Sequence, residues 1–433
     1  MNTKMSLFPI TSDVNHHGHL TIGGVDCVDL ALEFGTPLYV YDEFNLREMC
    51  REFQTQFKKQ LNDVSVAFAG KTFLSKAFAE LLNEEGMSLD VISAGEIAYA
   101  KAGGFDMKRA YLHGNNKRPS DIKVALQNGI GYIVVDGFDD LRNTNEVAAS
   151  MGVKASILLR LAPNVDVHTH RFISTGQADS KFGFSLDIAK EACEKALTLS
   201  NIDLCGFHCH IGSLIMEIEP FVQTVRVMVS VCASAKNWGV NVRKLDLGGG
   251  YGIAYTEKDS FPTYEDYAKS VSEAIKEECQ KNNIDVPSIT VEPGRSIVGR
   301  AGVALYTVGN IKEIKGIRKY VSVDGGMGDN IRPALYDAQY SAAVANRMLD
   351  SEAEIISLAG PFCESSDIII KDIAMPILNQ GDVIAVPASG AYCLSMSSNY
   401  NGYCRPAVIF VQDGRARLVR RRETPDDLLK CEV

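Results

Sequence analysis

Short apolar runs of strand length recur along this chain, at 37–41, 64–69, 109–113, 131–136, 155–161, 203–209, 243–247 and 288–291. Between them lie stretches whose apolar positions return every three or four residues, at 43–60, 75–86, 95–103, 121–128, 186–200, 218–237 and 264–282. That is the spacing of an amphipathic helix that buries one face. Strand–helix alternation repeated about eight times predicts a parallel sheet, and the count favours a closed (β/α)8 barrel of the TIM type over an open sheet. After about residue 300 the pattern changes to β-rich runs at 303–312, 318–323, 354–359, 383–387, 407–412 and 415–420, separated by Gly, Asp and Pro turns. These predict a C-terminal all-β domain, a β-sandwich or Greek-key barrel, with a helix allowed within 330–350. The expected division is an N-terminal segment 1–35 packing with the β domain, a barrel over 36–300, and the β domain over 301–433.

Composition narrows the function classes. At 433 residues the chain exceeds what one hydrophobic core usually supports, which agrees with more than one domain. A hydrophobic share of 46% and a charged share of 23% are those of an ordinary globular protein. The net charge of −10 argues against a nucleic-acid partner and an anionic membrane surface. Arg420–Arg422 reads as a solvated strand end. No apolar run approaches the roughly 20 residues of a membrane span, and the first residues show no apolar stretch of signal-peptide length. Eleven cysteines, an odd number without a Cys-x-x-Cys pair, fit reduced thiols rather than a disulfide framework. A cytoplasmic enzyme is the expectation.

The polar motifs follow the strand-like runs directly, where barrel enzymes place their reacting groups. Lys71 ends one run, where shedding of hydration would favour a Schiff-base nucleophile, although a snorkelling surface lysine reads the same way. His208 and His210 flank Cys209 at a spacing that puts both rings on one side of a strand. Zinc therefore competes there with a ring-stacking or anion role, the latter suited by the Ile211-Gly212-Ser213 turn. Gly248, Gly249, Gly250 and Gly252 follow the run 243–247, and a phosphate cradle is the favoured reading of such glycines. Glu292-Pro293-Gly294-Arg295 follows the last barrel run, with a carboxylate for a protonated ring nitrogen and a bidentate fork for phosphate or carboxylate. Far downstream, Gly360-Pro361-Phe362-Cys363-Glu364-Ser365-Ser366-Asp367 puts a thiol beside a carboxylate in one loop.

Taken together, these residues resemble the pyridoxal-phosphate-dependent decarboxylases of the alanine-racemase-like barrel fold, and among them the branch acting on diaminopimelate. The resemblance runs from about residue 25 to 425. It rests on Phe68–Lys71, Asp90–Glu96, His113–Lys117, Ser180–Gly183, His210–Ser213, Gly248–Gly250, Glu292–Arg295, Asp329–Pro333, Cys363–Ser365 and Gly390–Tyr392. It implies pyridoxal 5'-phosphate held covalently by Lys71 and stacked under His210. Ser213, Gly249, Gly250, Gly294, Arg295 and Tyr392 would surround the phosphate, and Glu292 would pair with the pyridine nitrogen. It also implies a homodimer with shared active sites, Cys363 and Glu364 arriving from the partner. Cys363 would be the proton donor, while Arg295, Arg332, Tyr336, Glu364 and Tyr392 would bind substrate. No metal is expected.

A carboxylate at the ring nitrogen keeps that nitrogen protonated and so favours decarboxylation over racemisation. Arg332 and Glu364 together meet the needs of a distal carboxylate and a distal ammonium. Conversion of meso-2,6-diaminopimelate to L-lysine and CO2, the last step of lysine biosynthesis, is therefore expected. Ornithine, lysine or carboxynorspermidine decarboxylation is the alternative. A catalytically inactive regulatory homologue and a zinc hydrolase built on His208 and His210 are the readings from other classes. The chain departs from the family pattern at Leu214, Thr72-Phe73 and Asp337-Ala338-Gln339, which bears on fine specificity. The polar segment 166–180 is expected to form a lid.

Overall fold

A computed structural model of the chain describes residues 3–166 and 181–433, so the expected lid lies, from residue 167 on, outside the described residues. Two compact units emerge: Cys50–Gly252 with Phe261–Gly294, and Met1–Met49 with Ile253–Ser260 and Arg295–Val433.

In the first unit eight parallel strands close on themselves: β1 (Val64–Ala69), β2 (Ser88–Val91), β3 (Ala110–Leu112), β4 (Tyr132–Val135), β5 (Ala155–Ala162), β6 (Ile202–His208), β7 (Lys244–Asp246) and β8 (Ser288–Val291). Closure is made by β8 beside β1, with Ile289 opposite Val64, and by β4 beside β5, with Ile133 opposite Ile157. The interior is packed rather than open: Ala67, Tyr111, Val134, Leu158 and Cys205 from five strands form one buried cluster. The strands are buried on both faces, which is why they read as continuous apolar runs rather than alternating ones. Their carboxyl ends turn polar, at Asp90, His208 and Asp246 and, one residue beyond, at His113, Asp136 and Glu292.

The second unit is built on a mixed nine-stranded sheet. Its long strand Gly302–Ile314 pairs with Leu38–Asp42, Arg318–Val323 and Val383–Val386, and Ala407–Gln412 extends the sheet from Leu38–Asp42. Phe8, Leu20, Ile22 and Leu30 bury in the same core as Val303, Leu305, Ile409 and Val411.

The strand count of eight was right but one member was not. The run 37–41, expected in the barrel, pairs parallel with Ala407–Gln412 and antiparallel with Gly302–Ile314 in the β-rich unit. Periodicity cannot separate the two homes, because all five residues Leu38–Asp42 are buried in either. The missing barrel strand is Ser88–Val91, whose Ser88 and Asp90 interrupt the apolar run although both are buried. A helix at Phe138–Ser150 and a strand at Ile368–Met375 also escaped the sequence pattern. The helix allowed within 330–350 is Arg332–Tyr336. Among the described residues no helix is long and apolar enough to cross a membrane.

Candidate active site

A cavity of about 310 Å³ opens at the carboxyl ends of the barrel strands, and Lys71, Asp90, His113, Arg160, His208, His210 and Glu292 are among its lining residues. Lys71 stands in a single 3-10 turn, Gly70–Thr72, directly after β1. The turn is pinned by Thr72, whose hydroxyl donates to the Ala69 carbonyl at 2.8 Å. Its side chain is exposed to this cavity rather than enclosed at a buried strand end, as its position in the sequence had suggested.

Glu292 sits at the floor, 7% exposed, one residue beyond β8. His208 Nε2 lies 3.1 Å and His113 Nε2 3.3 Å from its Oε1, and Asp90 Oδ1 lies 3.5 Å from His113. None of these atoms finds a well-directed hydrogen bond among the described residues. Burial pushes the Glu292 carboxyl up to about 7, with the neighbouring Asp90 adding to the shift and His113, Lys71 and Arg160 opposing it. Burial likewise raises Asp246, with Glu292 as its next cause, and raises Asp90, with Asp246 as its next. The same desolvation takes His113 down to about 4 and His208 and His210 well below the usual histidine value, so the imidazoles are neutral. The floor is thus a cluster of carboxyls whose charged forms burial disfavours and whose surroundings compensate only in part.

His208 and His210 part company. His208 faces Glu292, whereas His210 Nδ1 accepts the Gly249 N–H at 3.2 Å. Among the described residues the group able to hold a metal is His113, His208 and Glu292, so of the two histidines weighed for zinc only His208 takes part. The signal for His113, Asp90 and Asp246 lies in their positions, each at or just beyond the carboxyl end of a barrel strand.

The glycine run serves close packing as well as any ligand. A Cβ on Gly249 would stand 1.9 Å from the Glu292 carbonyl oxygen, and one on Gly250, at φ +119°, 2.5 Å from that of Gly212. Among the described residues the amides of Gly212 and Gly250 donate no hydrogen bond, which leaves two neighbouring backbone donors for an anion. A buried carboxyl whose Oε1 has no well-directed hydrogen bond, a lysine at the cavity and unspent amides fit a pyridine ring with a phosphate arm. Ser213 and Gly294 belong to this same unit; a Cβ on Gly294 would meet Thr72 Cγ2 at 2.6 Å.

The remaining expected residues lie in the β-rich unit. Arg295 and Arg332 are buried, 7% and 4% exposed. Arg295 donates to the Tyr255 hydroxyl, with its guanidinium 4.7 Å from the Tyr392 ring centre. Tyr336 closes the short helix Arg332–Tyr336 and is partly buried. Cys363 and Glu364 are exposed on their loop, where Asn401 Oδ1 accepts the Cys363 N–H at 2.9 Å and Glu364 accepts the Tyr400 hydroxyl at 2.8 Å.

Residues 46–299 match the family described as pyridoxal-dependent decarboxylase, pyridoxal binding domain. The chain is 46% identical over 426 residues to diaminopimelate decarboxylase of Bacillus subtilis, covering 98% of this chain and 97% of that protein. It is 44% identical over 424 residues to the protein of the same name from Staphylococcus aureus, covering 97% and 99%. A crystal structure of diaminopimelate decarboxylase from M. jannaschii in complex with L-lysine superposes with a TM-score of 0.92 at 34% identity, covering 98% of each chain.

Proposed function

The chain belongs to the diaminopimelate decarboxylases, within the pyridoxal-dependent decarboxylase family, and from that premise we infer the part each side chain plays. The reaction is decarboxylation of meso-2,6-diaminopimelate to L-lysine and CO2, the last step of lysine biosynthesis, with pyridoxal 5'-phosphate as cofactor. When bound, the cofactor supplies an aldehyde that reacts with amines and a ring that accepts the electron pair released as CO2 leaves.

Lys71, which lines the cavity, would be the residue that holds the cofactor through its aldehyde. His210, held in place by the Gly249 N–H on its Nδ1, would stack on the ring. Glu292 would keep a proton on the ring nitrogen, and this buried carboxyl, whose Oε1 finds no well-directed hydrogen bond among the described residues, is the observation that carries the reading. Ser213, Gly250 and Gly294 would offer hydroxyl and backbone donors to the phosphate, Gly249, whose N–H goes to His210, would leave it room, and Arg295 and Tyr392 would complete that set. Arg332 and Tyr336 take the distal carboxylate, with Arg295 and Tyr392 on the same ligand. Glu364 takes the distal ammonium. Cys363 delivers a proton to the carbon that has lost CO2. Cys363 and Glu364 serve from the partner subunit of a homodimer, a role that their exposure on their own protomer supports.

The test is CO2 release by the purified holoenzyme from meso-diaminopimelate, L-lysine and L-ornithine at matched concentrations. Release from diaminopimelate alone is expected. Comparable kcat/KM for L-lysine would sink the assignment of Arg332 to a distal carboxylate.

A further inference from the structure

Arg332 is a buried cation that its own unit does not neutralise. Among the described residues no acidic side chain pairs with it, and its Nε has no hydrogen-bond partner. It is held by phenols instead. Its Nη1 donates to the Tyr340 hydroxyl, and its guanidinium carbon stands 4.5 Å from the Tyr255 ring centre and 5.4 Å from that of Tyr340. The two rings meet edge to face at 5.3 Å, so they form two walls of one cage. Tyr255 also reaches the second arginine, since its hydroxyl accepts from Arg295 Nη1. The backbone of Tyr255 is fixed in turn: Asp259 accepts its N–H at 2.9 Å and that of Thr256 at 2.8 Å. Tyr340 is braced from behind by Cys393, whose Sγ lies 3.5 Å from its hydroxyl.

The choice of phenols matters. A carboxylate in either place would hold the guanidinium equally well but would cancel its charge. An aromatic face attracts a cation through its quadrupole and carries no net charge, and a phenol oxygen accepts one N–H of five. The arginine is thereby oriented while its positive charge remains for a ligand.

We propose that Tyr255 and Tyr340 are specificity-determining positioning residues: they hold Arg332 without neutralising it, and Tyr255 ties it to Arg295. The arginine pair then receives the distal carboxylate of a two-ended amino acid. This rests on the assignment of Arg332 to that carboxylate. An enzyme of this fold that acts on a diamine acid lacking the carboxylate has no need of the cage.

The holoenzyme and four variants, Tyr340→Phe, Tyr255→Phe, Tyr255→Leu and Arg332→Gln, are compared for KM and kcat with meso-diaminopimelate, for the cofactor dissociation constant, and for melting temperature. Loss of one hydrogen bond to a charged group predicts a rise in KM of about tenfold for Tyr340→Phe, with kcat, cofactor affinity and melting temperature held. Tyr255→Leu raises KM more than Tyr255→Phe, which keeps the ring against Arg332. Tyr340→Phe removes only a hydroxyl and carries the test alone if Tyr255→Leu does not fold. An unchanged KM in Arg332→Gln overturns the underlying assignment. A raised KM in Arg332→Gln with unchanged values in Tyr340→Phe and Tyr255→Leu overturns the proposal by itself. A fall in cofactor affinity as large as the rise in KM in Tyr340→Phe also overturns it, as general loosening.

Discussion

Replacing Glu292 with glutamine separates what this residue costs the fold from what it gives the cofactor. Its carboxyl rises from 4.5 to about 7 in the cofactor-free protein, chiefly through burial. A raised carboxyl contributes its full stability below about pH 4.5 and loses it as pH climbs through 7, because the folded state then carries a charge it solvates poorly. At 1.36 kcal/mol for each pH unit of displacement, the loss is about 3 kcal/mol. Glutamine keeps the shape and removes the titration. Cofactor-free Glu292→Gln should therefore match the parent protein near pH 4.5 and exceed it by about 3 kcal/mol near pH 8, measured by urea unfolding at fixed protein concentration. Asp246 titrates in concert with Glu292, so the difference curve reports the pair. The same variant should bind the cofactor about 10- to 100-fold more weakly, since a neutral amide replaces a charge-assisted partner of the ring nitrogen. A stability difference that does not vary with pH would refute the buried-carboxylate argument. Undiminished cofactor affinity would refute the pairing of Glu292 with the ring nitrogen.

Lys71→Ala should leave no cofactor covalently attached after borohydride reduction, read by intact-protein mass spectrometry; label elsewhere would displace Lys71 from its role. Cys363→Ala should lower kcat by about 10²- to 10⁴-fold, the usual worth of a proton donor, while the cofactor spectrum stays unchanged. Mixing inactive Lys71→Ala with inactive Cys363→Ala subunits should restore up to about a quarter of wild-type activity if sites are shared across a homodimer, as random pairing leaves one intact site in half of the pairs. No recovery after demonstrated subunit exchange would place both residues on one chain. Lys117→Met should destabilise the barrel by about 3–5 kcal/mol in chemical unfolding, because it strands Asp140 from its buried partner at 2.7 Å. A loss below about 1 kcal/mol would show that water reaches the pair.

What the sequence made legible follows from how strongly each feature is patterned. The barrel was readable because strands buried on both faces leave unbroken apolar runs, and because each is followed by a helix such as Glu219–Asn237 or Tyr264–Lys281. Ser88–Val91 was not, since Asp90 interrupts the run to serve the cavity, and its function hid its fold. Leu38–Asp42 was misplaced because a local pattern cannot name a strand's neighbours: its partners are residues 302–305 and 407–411. Among candidate site residues, motif spacing pointed to Lys71 and Glu292, which line the cavity, and to the glycines. The relation of His113 and His208 to Glu292 lay outside its reach, because that relation is made by three different strand ends meeting in space. Likewise Tyr255 and Tyr340, neither in a recognisable motif, converge on Arg332 only once the chain has folded.

The two units share one physical signature, and it bears on what the protein selects. Ordinary buried ions arrive with their counter-ions, as Lys117 does with Asp140 and with the Gly114 and Val134 carbonyls at 2.7 and 2.6 Å. Glu292 and Arg332 do not: one is a buried carboxyl among neutral imidazoles, the other a buried guanidinium between phenols. Each is destabilising until a ligand of opposite charge arrives, so ligand binding recovers what folding gave up. That difference is also discriminating. In the proposed roles, a ring without a protonated nitrogen would leave Glu292 uncompensated, and an amino acid without a distal carboxylate would leave Arg332 so. Rejection of L-lysine as a substrate should therefore track the charge on residue 332 more closely than the size of its side chain. Arg332→Lys, which keeps the charge and loses the fork, should discriminate between diaminopimelate and L-lysine better than Arg332→Gln; equal discrimination by both would assign selectivity to shape.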